Sequence, residues 1–438
     1  MSPTRHRFVL LDGFRGLAAL LVVLFHAQRD GSPFYKLDPL FLMVDFFFVL
    51  SGFVLLPSLP ATYRDFGRQT YHFVMRRVLR LWPMVITVIA FSAGIYYLHM
   101  WWVHRTGAGF NYDVNRTTWN YTAALLLWQI WVSKSMFMVV PLWSLSAEWF
   151  ANVLYVPIAA VKRGVGIAVM IAVGFAMYRY GLQTDKEWIS WIGPIRGFEA
   201  LGRAVAGFGF GLLARQAFDA DRGRLAARVG ALAAVAYLAT EWVREAVYDH
   251  TPYELASSVT WLTTLVTALA GVVALRRWPT LARNGVAERV TFAVSIVAAY
   301  QLLGEYADYG YRVVYAAPPV FALLVLAAAC MTVSGDSRPG RAMLTLGAWS
   351  YGIYAFHRVV MDAFNVFTAE PGHWYSTPVY MAPNRLWLHY VELKFVVVTA
   401  ICIALTVATA RVIERPLQSA GARMLLDRRF YRSAHSGR

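Results

Sequence analysis

The chain has 438 residues, of which 58% are hydrophobic and only 15% charged, and its formal net charge is +16. Soluble globular proteins carry about 25% charged residues, so this composition excludes an ordinary soluble domain. The positive charge does not indicate nucleic-acid binding, because basic residues of a membrane protein concentrate in cytoplasmic loops that face anionic lipid. We therefore expect a lipid bilayer, and no nucleic acid, as partner.

Apolar stretches recur along the chain and predict an all-α, polytopic bundle of transmembrane helices. They lie at about 9–28, 40–59, 78–98, 142–161, 165–180, 197–214, 229–243, 256–275, 289–304, 312–334, 347–366 and 390–412. Twelve spans place every basic loop and both termini on one side, which the positive-inside rule makes cytoplasmic. Ten spans are the alternative if short stretches merge. Segment 121–132 is too short to span and is predicted to be re-entrant or interfacial.

The first predicted span carries Arg15 and His26, eleven residues apart in an otherwise apolar run. Charged groups at membrane depth are costly and therefore indicate function. Asp45 in the second span and Glu148 in the fourth are predicted to lie, like His26, in the outer half of the membrane. A carboxylate beside a histidine suits general-base catalysis, because it fixes the tautomer and stabilises the imidazolium. The alternative is that these charges only hold helices together.

Arg77 and Arg80 lie three residues apart at the predicted cytoplasmic entry of the third span, where they share a helical face. Forked guanidiniums on one face suit phosphate groups. Arg15 is predicted to lie on the cytoplasmic side, as Arg77 and Arg80 do. Its eleven-residue separation from His26 corresponds to about 16 Å along a helix that rises 1.5 Å per residue. The alternative interpretation is an ordinary basic cluster at the lipid headgroups.

Further polar residues occur at the start of the fourth span and within the eleventh. Trp143 and Ser144 precede Glu148 in the fourth span, and Tyr351 and His357 lie on one polar stripe of the eleventh. We expect these four to contact substrate, although hydrogen bonding between helices would explain the stripe equally well. The two cysteines lie inside apolar runs and predict no disulfide and no metal site.

These residues belong to six ordered motifs that resemble the integral-membrane acyltransferase family 3, bacterial enzymes that O-acylate extracytoplasmic glycans and some small molecules. The motifs cover both ends of the chain and its first third, whereas residues 160–340 match none. In chain order they are Leu11-Asp12-Gly13-Phe14-Arg15-Gly16 with His26, Val44-Asp45-Phe46-Phe47-Phe48-Val49-Leu50-Ser51-Gly52-Phe53, Arg77-x-x-Arg80 with Pro83, Trp143-Ser144-Leu145 with Glu148, Ser350-Tyr351 through His357, and Glu414-Arg415-Pro416.

The resemblance implies a multi-pass enzyme of the bacterial cytoplasmic (inner) membrane. It would transfer an acyl group, most simply acetyl, from cytoplasmic acyl-coenzyme A to a hydroxyl of an extracytoplasmic glycan, glycolipid or secreted metabolite. His26 would be the catalytic base, with Asp45 or Glu148 as the group that orients it. The coenzyme would contact three arginines: Arg15, Arg77 and Arg80.

Residues 1–416 are predicted to form one transmembrane acyltransferase domain and 417–438 a basic cytoplasmic tail, without the C-terminal esterase-like domain of many relatives. A second function stays open at this point. A proton-coupled transporter or flippase of a lipid-linked sugar could use the buried charges as a proton relay. The lack of recognisable inverted repeats counts against it. A degenerate, inactive family member is a third alternative, against which the intact Arg15–His26 pair counts.

Overall fold

The computed structural model describes residues 8–29, 35–56, 66–106, 118–132, 139–159, 163–184, 195–219, 310–331, 333–368 and 386–425, with six separate positions between 292 and 303. Within these ranges the regular structure is helical and no strand occurs, which confirms the all-α prediction. The predicted stretches 229–243 and 256–275, and most of 289–304, lie outside the described residues.

The described part of the chain forms twelve α-helices, two 3-10 helices and one π-helical turn. The α-helices are α1 (Val9–Arg29), α2 (Met43–Leu55), α3 (Phe66–Thr106), α4 (Thr118–Leu125), α5 (Gln129–Val132), α6 (Leu142–Ala159), α7 (Arg163–Thr184), α8 (Gly197–Asp219), α9 (Ala317–Cys330), α10 (Arg338–Thr368), α11 (Leu386–Thr409) and α12 (Arg415–Leu425). The 3-10 helices are Tyr35–Leu42 and Gly310–Tyr315, and the π turn is Ala410–Glu414.

Five helical segments among the described residues are long and apolar enough to cross a membrane. They are Val9–Ala27, Phe66–Leu98, Gly164–Thr184, Val313–Cys330 and Leu393–Arg423. These segments confirm a multi-pass membrane protein. Nine of the twelve predicted stretches coincide with described helices. The full count of twelve or ten spans and the cytoplasmic placement of the termini stay predictions.

The segment that was predicted to be too short to span is broken in the structure. Helix α4 ends at Leu125 and α5 begins at Gln129. Between them Leu127 has a φ of 55°, in the left-handed region that L-residues seldom adopt. Ser146 of α6 donates a hydrogen bond to the Leu127 carbonyl oxygen. The start of α6 therefore lies against this break.

Helices α1 and α10 pack against each other at glycines. A Cβ atom on Gly347 would lie 2.5 Å from the carbonyl oxygen of Asp12, and one on Gly16 would lie 2.9 Å from that of Leu346. Such distances exclude any side chain, so glycine is required for the two backbones to come this close. The close approach brings Arg15 of α1 against α10.

The last described span continues without interruption into the C-terminal helix. The π turn follows α11 directly and is followed directly by α12. Helix α12 packs on α3, where a Cβ on Gly421 would lie 2.2 Å from a methyl carbon of Leu79. The predicted boundary between the domain and its tail, at 416/417, falls inside α12, and it stays a prediction.

Helices α2 and α8 also touch backbone to backbone, which yields a prediction about stability. A Cβ on Gly211 would lie 1.9 Å from the Val49 carbonyl oxygen. We expect Gly211→Ala to lower the thermal unfolding midpoint of detergent-purified protein, because overpacking costs about 1–3 kcal/mol. Gly94→Ala is the matched control: its Cβ meets nothing within 4 Å, and alanine favours a helix over glycine by up to about 1 kcal/mol. Equal midpoints in scanning fluorimetry would refute the close α2–α8 contact.

Candidate active site

A cavity of about 280 Å³ lies among α1, α2, α3, α6, α10 and the C-terminal helices. Six residues that the sequence singled out line it: Arg15, Arg77, Arg80, Ser144, Glu148 and Tyr351. Four others do not line it: His26, Asp45, Trp143 and His357. The structure thus brings together the arginines from α1 and α3, as the sequence predicted. It separates them from the histidines.

Arg15 is fixed in the cavity wall by three groups. Its Nε donates to Ser350 Oγ at 3.0 Å, and one Nη donates to the Gly347 carbonyl oxygen at 2.7 Å. The same Nη lies 2.9 Å from a carboxylate oxygen of Asp12. The guanidinium is therefore held in one orientation across the α1–α10 contact.

Arg77 forms an ion pair with Glu148, and a hydrogen bond from Ser51 to the same carboxylate adds a third helix to the contact. An Nη of Arg77 on α3 donates to the Oε1 of Glu148 on α6, and Ser51 Oγ on α2 donates to the same oxygen at 2.6 Å. The expectation that Glu148 shares the depth of His26 is not met, because its carboxylate lies among the arginines. The ion pair with Arg77 and the hydrogen bond from Ser51 hold the carboxylate there.

Arg80 also faces the cavity but has a different environment. Among the described residues, no hydrogen bond or ion pair to Arg80 is found, and its side chain is exposed. Of the three cavity arginines, Arg15 and Arg77 are paired with carboxylates, whereas Arg80 has no carboxylate partner in the part of the chain that the structure describes. It is therefore the arginine best suited to bind an anionic ligand directly.

Asp45 forms a fully buried ion pair with Arg203 of α8. Its two carboxylate oxygens accept hydrogen bonds from Arg203 Nε at 3.1 Å and from an Nη at 2.6 Å, and both side chains are 0% exposed. The Cζ of Arg203 lies 5.2 Å from the ring centroids of Trp143 and Phe41. Asp45 and Trp143 thus belong to one charged and aromatic cluster of α2, α6 and α8.

Arg203 was not among the residues predicted from the sequence, although the sequence contains a signal for it. Arg203 lies inside the predicted span 197–214, so the argument that singled out Asp45, an ionisable group at membrane depth, applies equally to it. Ser51 was missed for a different reason. A serine within an apolar helix carries no such signal.

The ring of His357 lies against that of His26. Their ring centroids are 4.9 Å apart, whereas neither the Asp45 nor the Glu148 carboxylate is hydrogen-bonded to His26. His357 is fully buried, and its Nδ1 lies 2.6 Å from the Tyr354 carbonyl oxygen. Because a carbonyl oxygen only accepts, Nδ1 of His357 carries a proton.

Tyr354 connects the cavity wall to His357 and is hydrogen-bonded to Ser144. Their hydroxyl oxygens are 2.6 Å apart, and both residues line the cavity. The ring of Tyr354 lies with its centroid 5.7 Å from that of His357. The structure therefore places the arginine cavity, the Tyr354–Ser144 pair, His357 and His26 in succession.

Comparison with known proteins identifies the family. A family model described as an acyltransferase domain matches residues 8–410. The chain belongs to acyltransferase family 3. The matched region contains His26, His357 and the three cavity arginines.

Two curated relatives support this assignment. “Protein 2 in picA locus” of Rhizobium radiobacter is 30% identical over 171 residues, which cover 34% of this chain and 81% of that protein. “Putative membrane-bound transacylase BcsY” of Komagataeibacter xylinus is 38% identical over 96 residues, 21% of each chain. No solved structure matches the chain. With its membrane-spanning helices, this acyltransferase 3 protein is a membrane acyltransferase.

Proposed function

We propose that this acyltransferase moves an acyl group, most simply acetyl, from acyl-coenzyme A to a hydroxyl acceptor. The donor would enter from the cytoplasm, and the acceptor would be an extracytoplasmic glycan, a glycolipid or a secreted metabolite. The observation that carries the proposal is a cavity that has three arginines in its wall and is also lined by Tyr354, whose ring neighbours that of His357. Arginines bind phosphates, and a histidine is the commonest general base.

The arginines would divide the work of binding the donor phosphates. Arg80 would supply the direct contact, since it is the one without a carboxylate partner among the described residues. Arg15 and Arg77 are already oriented by their partners, so they lose little conformational freedom when a ligand arrives. Each guanidinium has five N–H groups and keeps donors for an anion after binding its protein partners.

His26 would act as the general base. It would take the proton of the acceptor hydroxyl as that oxygen attacks the thioester carbonyl carbon. A C–O bond forms, the C–S bond breaks, and His26 returns the proton to the departing thiolate, which gives an ester and free coenzyme A. His357 would orient His26: with its Nδ1–H held by the Tyr354 carbonyl, its Nε2 carries a lone pair that can accept from the neighbouring ring.

The carboxylates take supporting roles in this proposal. Glu148 would hold Arg77 in the donor cavity, and Asp45 would hold Arg203 and, through it, the ring of Trp143. Ser144 and Tyr351 would line the path of the donor. From the sequence, Asp45 or Glu148 was expected to orient His26; in this proposal His357 does so instead.

The separation of arginines and histidine suggests how the acyl group crosses the membrane. Arg15 and His26 lie on one uninterrupted helix, about 16 Å apart along its axis. That is roughly half of a hydrocarbon core about 30 Å thick. A donor whose phosphates stay at the arginines would thread its pantetheine arm past Tyr354 to His26. The acyl group would cross while coenzyme A stays on the cytoplasmic side.

Arg80→Lys is expected to weaken coenzyme A binding about tenfold, because an ammonium cannot reproduce a forked contact and a hydrogen bond to a charged group contributes about 1.5–3 kcal/mol. Isothermal titration calorimetry on protein in lipid nanodiscs measures the change. Arg411→Lys, an exposed position outside the cavity lining, is the control and should bind as the wild type does. If Arg80→Lys also bound coenzyme A normally, the arginines would only mark the cytoplasmic side of the membrane and would not bind the donor.

Release of free thiol from acetyl-coenzyme A tests the function itself. Purified protein in nanodiscs, given acetyl-coenzyme A and envelope material from a strain lacking the protein, should release thiol and acylate a component that mass spectrometry can identify. A transporter or flippase would leave the thioester intact. Absence of thiol release with all such fractions, together with an unchanged acylation pattern in the deletion strain, would reject the proposed reaction.

A further inference from the structure

The residues that follow α11 contribute to the cavity wall. The π-helical turn Ala410–Glu414 precedes α12, and Glu414 and Gln418 both contribute to the cavity wall. A π turn adds a residue to a helical turn and so re-aims the side chains that follow; such turns occur frequently at functional sites. The donor cavity thus carries an acidic side chain that the proposed reaction does not use.

Glu414 has a buried carboxylate oxygen with no hydrogen-bond partner. Its Oε1 is shielded from solvent, and no donor to it is found among the described residues. A buried acceptor that lacks a hydrogen bond costs free energy, so such groups in native proteins call for an explanation. A ligand with a hydrogen-bond donor would supply the missing partner.

Arg80 and Glu414, which carry opposite charges, line the same cavity without forming an ion pair among the described residues. Arg80 lies close enough to Glu414 to act on it electrostatically, yet no ion pair connects them within the described part of the chain. A ligand that is only an anion would satisfy Arg80 and be repelled by Glu414. A ligand that carries an anion together with an N–H or O–H donor would satisfy both.

We propose that Glu414 is a specificity-determining residue for the donor: its carboxylate accepts a hydrogen bond from an N–H or O–H group of the same molecule whose phosphate binds Arg80. The inference rests on the proposed coenzyme A donor, which has such groups at its nucleotide end and along its pantetheine arm. It follows that the cavity selects coenzyme thioesters over small acyl phosphates, which carry the anion and lack the donor.

Calorimetric titration of nanodisc protein tests this with four probes: coenzyme A, adenosine 3′,5′-bisphosphate, pantetheine and inorganic pyrophosphate. Glu414→Gln keeps the shape of the side chain and removes its charge. We expect it to weaken coenzyme A binding about tenfold and to leave pyrophosphate affinity unchanged or higher. Of the two organic fragments, the one that loses affinity contains the donor group. Asp336→Asn, which removes the same charge at an exposed position outside the cavity lining, should bind all four probes normally.

Wild-type coenzyme A affinity in Glu414→Gln would overturn the inference. So would an equal loss for coenzyme A and pyrophosphate, since Glu414 would then act only by holding Arg80. If Glu414→Gln does not stay folded, Glu414→Asp, which withdraws the carboxylate by one methylene, decides by the same two criteria. If the wild type itself does not bind coenzyme A, the proposed donor fails as well. If the wild type binds coenzyme A and Glu414→Gln binds it equally well, the role of Glu414 is rejected and the proposed donor is not.

Discussion

His26→Ala is expected to lower acyl transfer by about 10²–10⁴-fold, the usual contribution of a general base. Coenzyme A binding should change little, because His26 does not line the arginine cavity. The loss should therefore appear in kcat, with donor affinity and the thermal unfolding midpoint close to those of the wild type. Thiol release and calorimetry on the same nanodisc preparation separate these effects.

His104→Ala is the matched control for this substitution. His104 is exposed, and it lies at the end of α3 rather than at the cavity. It should keep wild-type turnover. Near-normal turnover in His26→Ala would remove His26 from the reaction. A parallel loss of coenzyme A binding would instead indicate that the substitution disturbs the packing of α1 on α10.

Asp45→Ala is expected to destabilise the protein by about 3–5 kcal/mol, because it leaves the buried charge of Arg203 without its partner. Replacing both members by apolar residues, as Asp45→Leu with Arg203→Met, should restore most of that stability, since a buried ion pair is often no more stable than an apolar pair of similar volume. Thermal and denaturant unfolding in detergent compare the three proteins. Asp219→Ala removes an exposed partner of Arg215 and should cost less than about 1 kcal/mol.

The same double variant decides between two roles for Asp45. If Asp45 only braces α2 against α8, the apolar pair should retain most of the wild-type acyl transfer. A double variant that is stable and inactive would return Asp45 to the chemistry, as the sequence suggested. Activity of the single variant is less informative, because loss of folding and loss of catalysis would look alike.

The sequence predicted the helices and the convergence of the arginines well. Long apolar stretches determine which segments enter the membrane, and the arginines of α1 and α3 were placed on one side by the positive-inside rule alone. Arg15, Arg77 and Arg80 do line one cavity. These features follow from local composition, which a sequence displays directly.

The partners of the buried charges could not be predicted in the same way. Depth was counted from the start of each apolar stretch, but α3 begins at Phe66, well before the predicted start at residue 78. Helix α6 begins against the α4–α5 break. Which helix faces which is fixed by packing, such as the glycine contacts of α2 with α8 that bring Arg203 to Asp45.

A cryo-electron microscopy structure of the protein in nanodiscs with coenzyme A would show whether the bound donor extends from the arginines to His26. We expect phosphate density at Arg80 and Arg77, an extended pantetheine arm that passes the Tyr354–Ser144 pair, and the sulfur atom next to His26 and His357. Phosphates bound away from these arginines, or an arm that leaves the cavity without approaching His26, would contradict it.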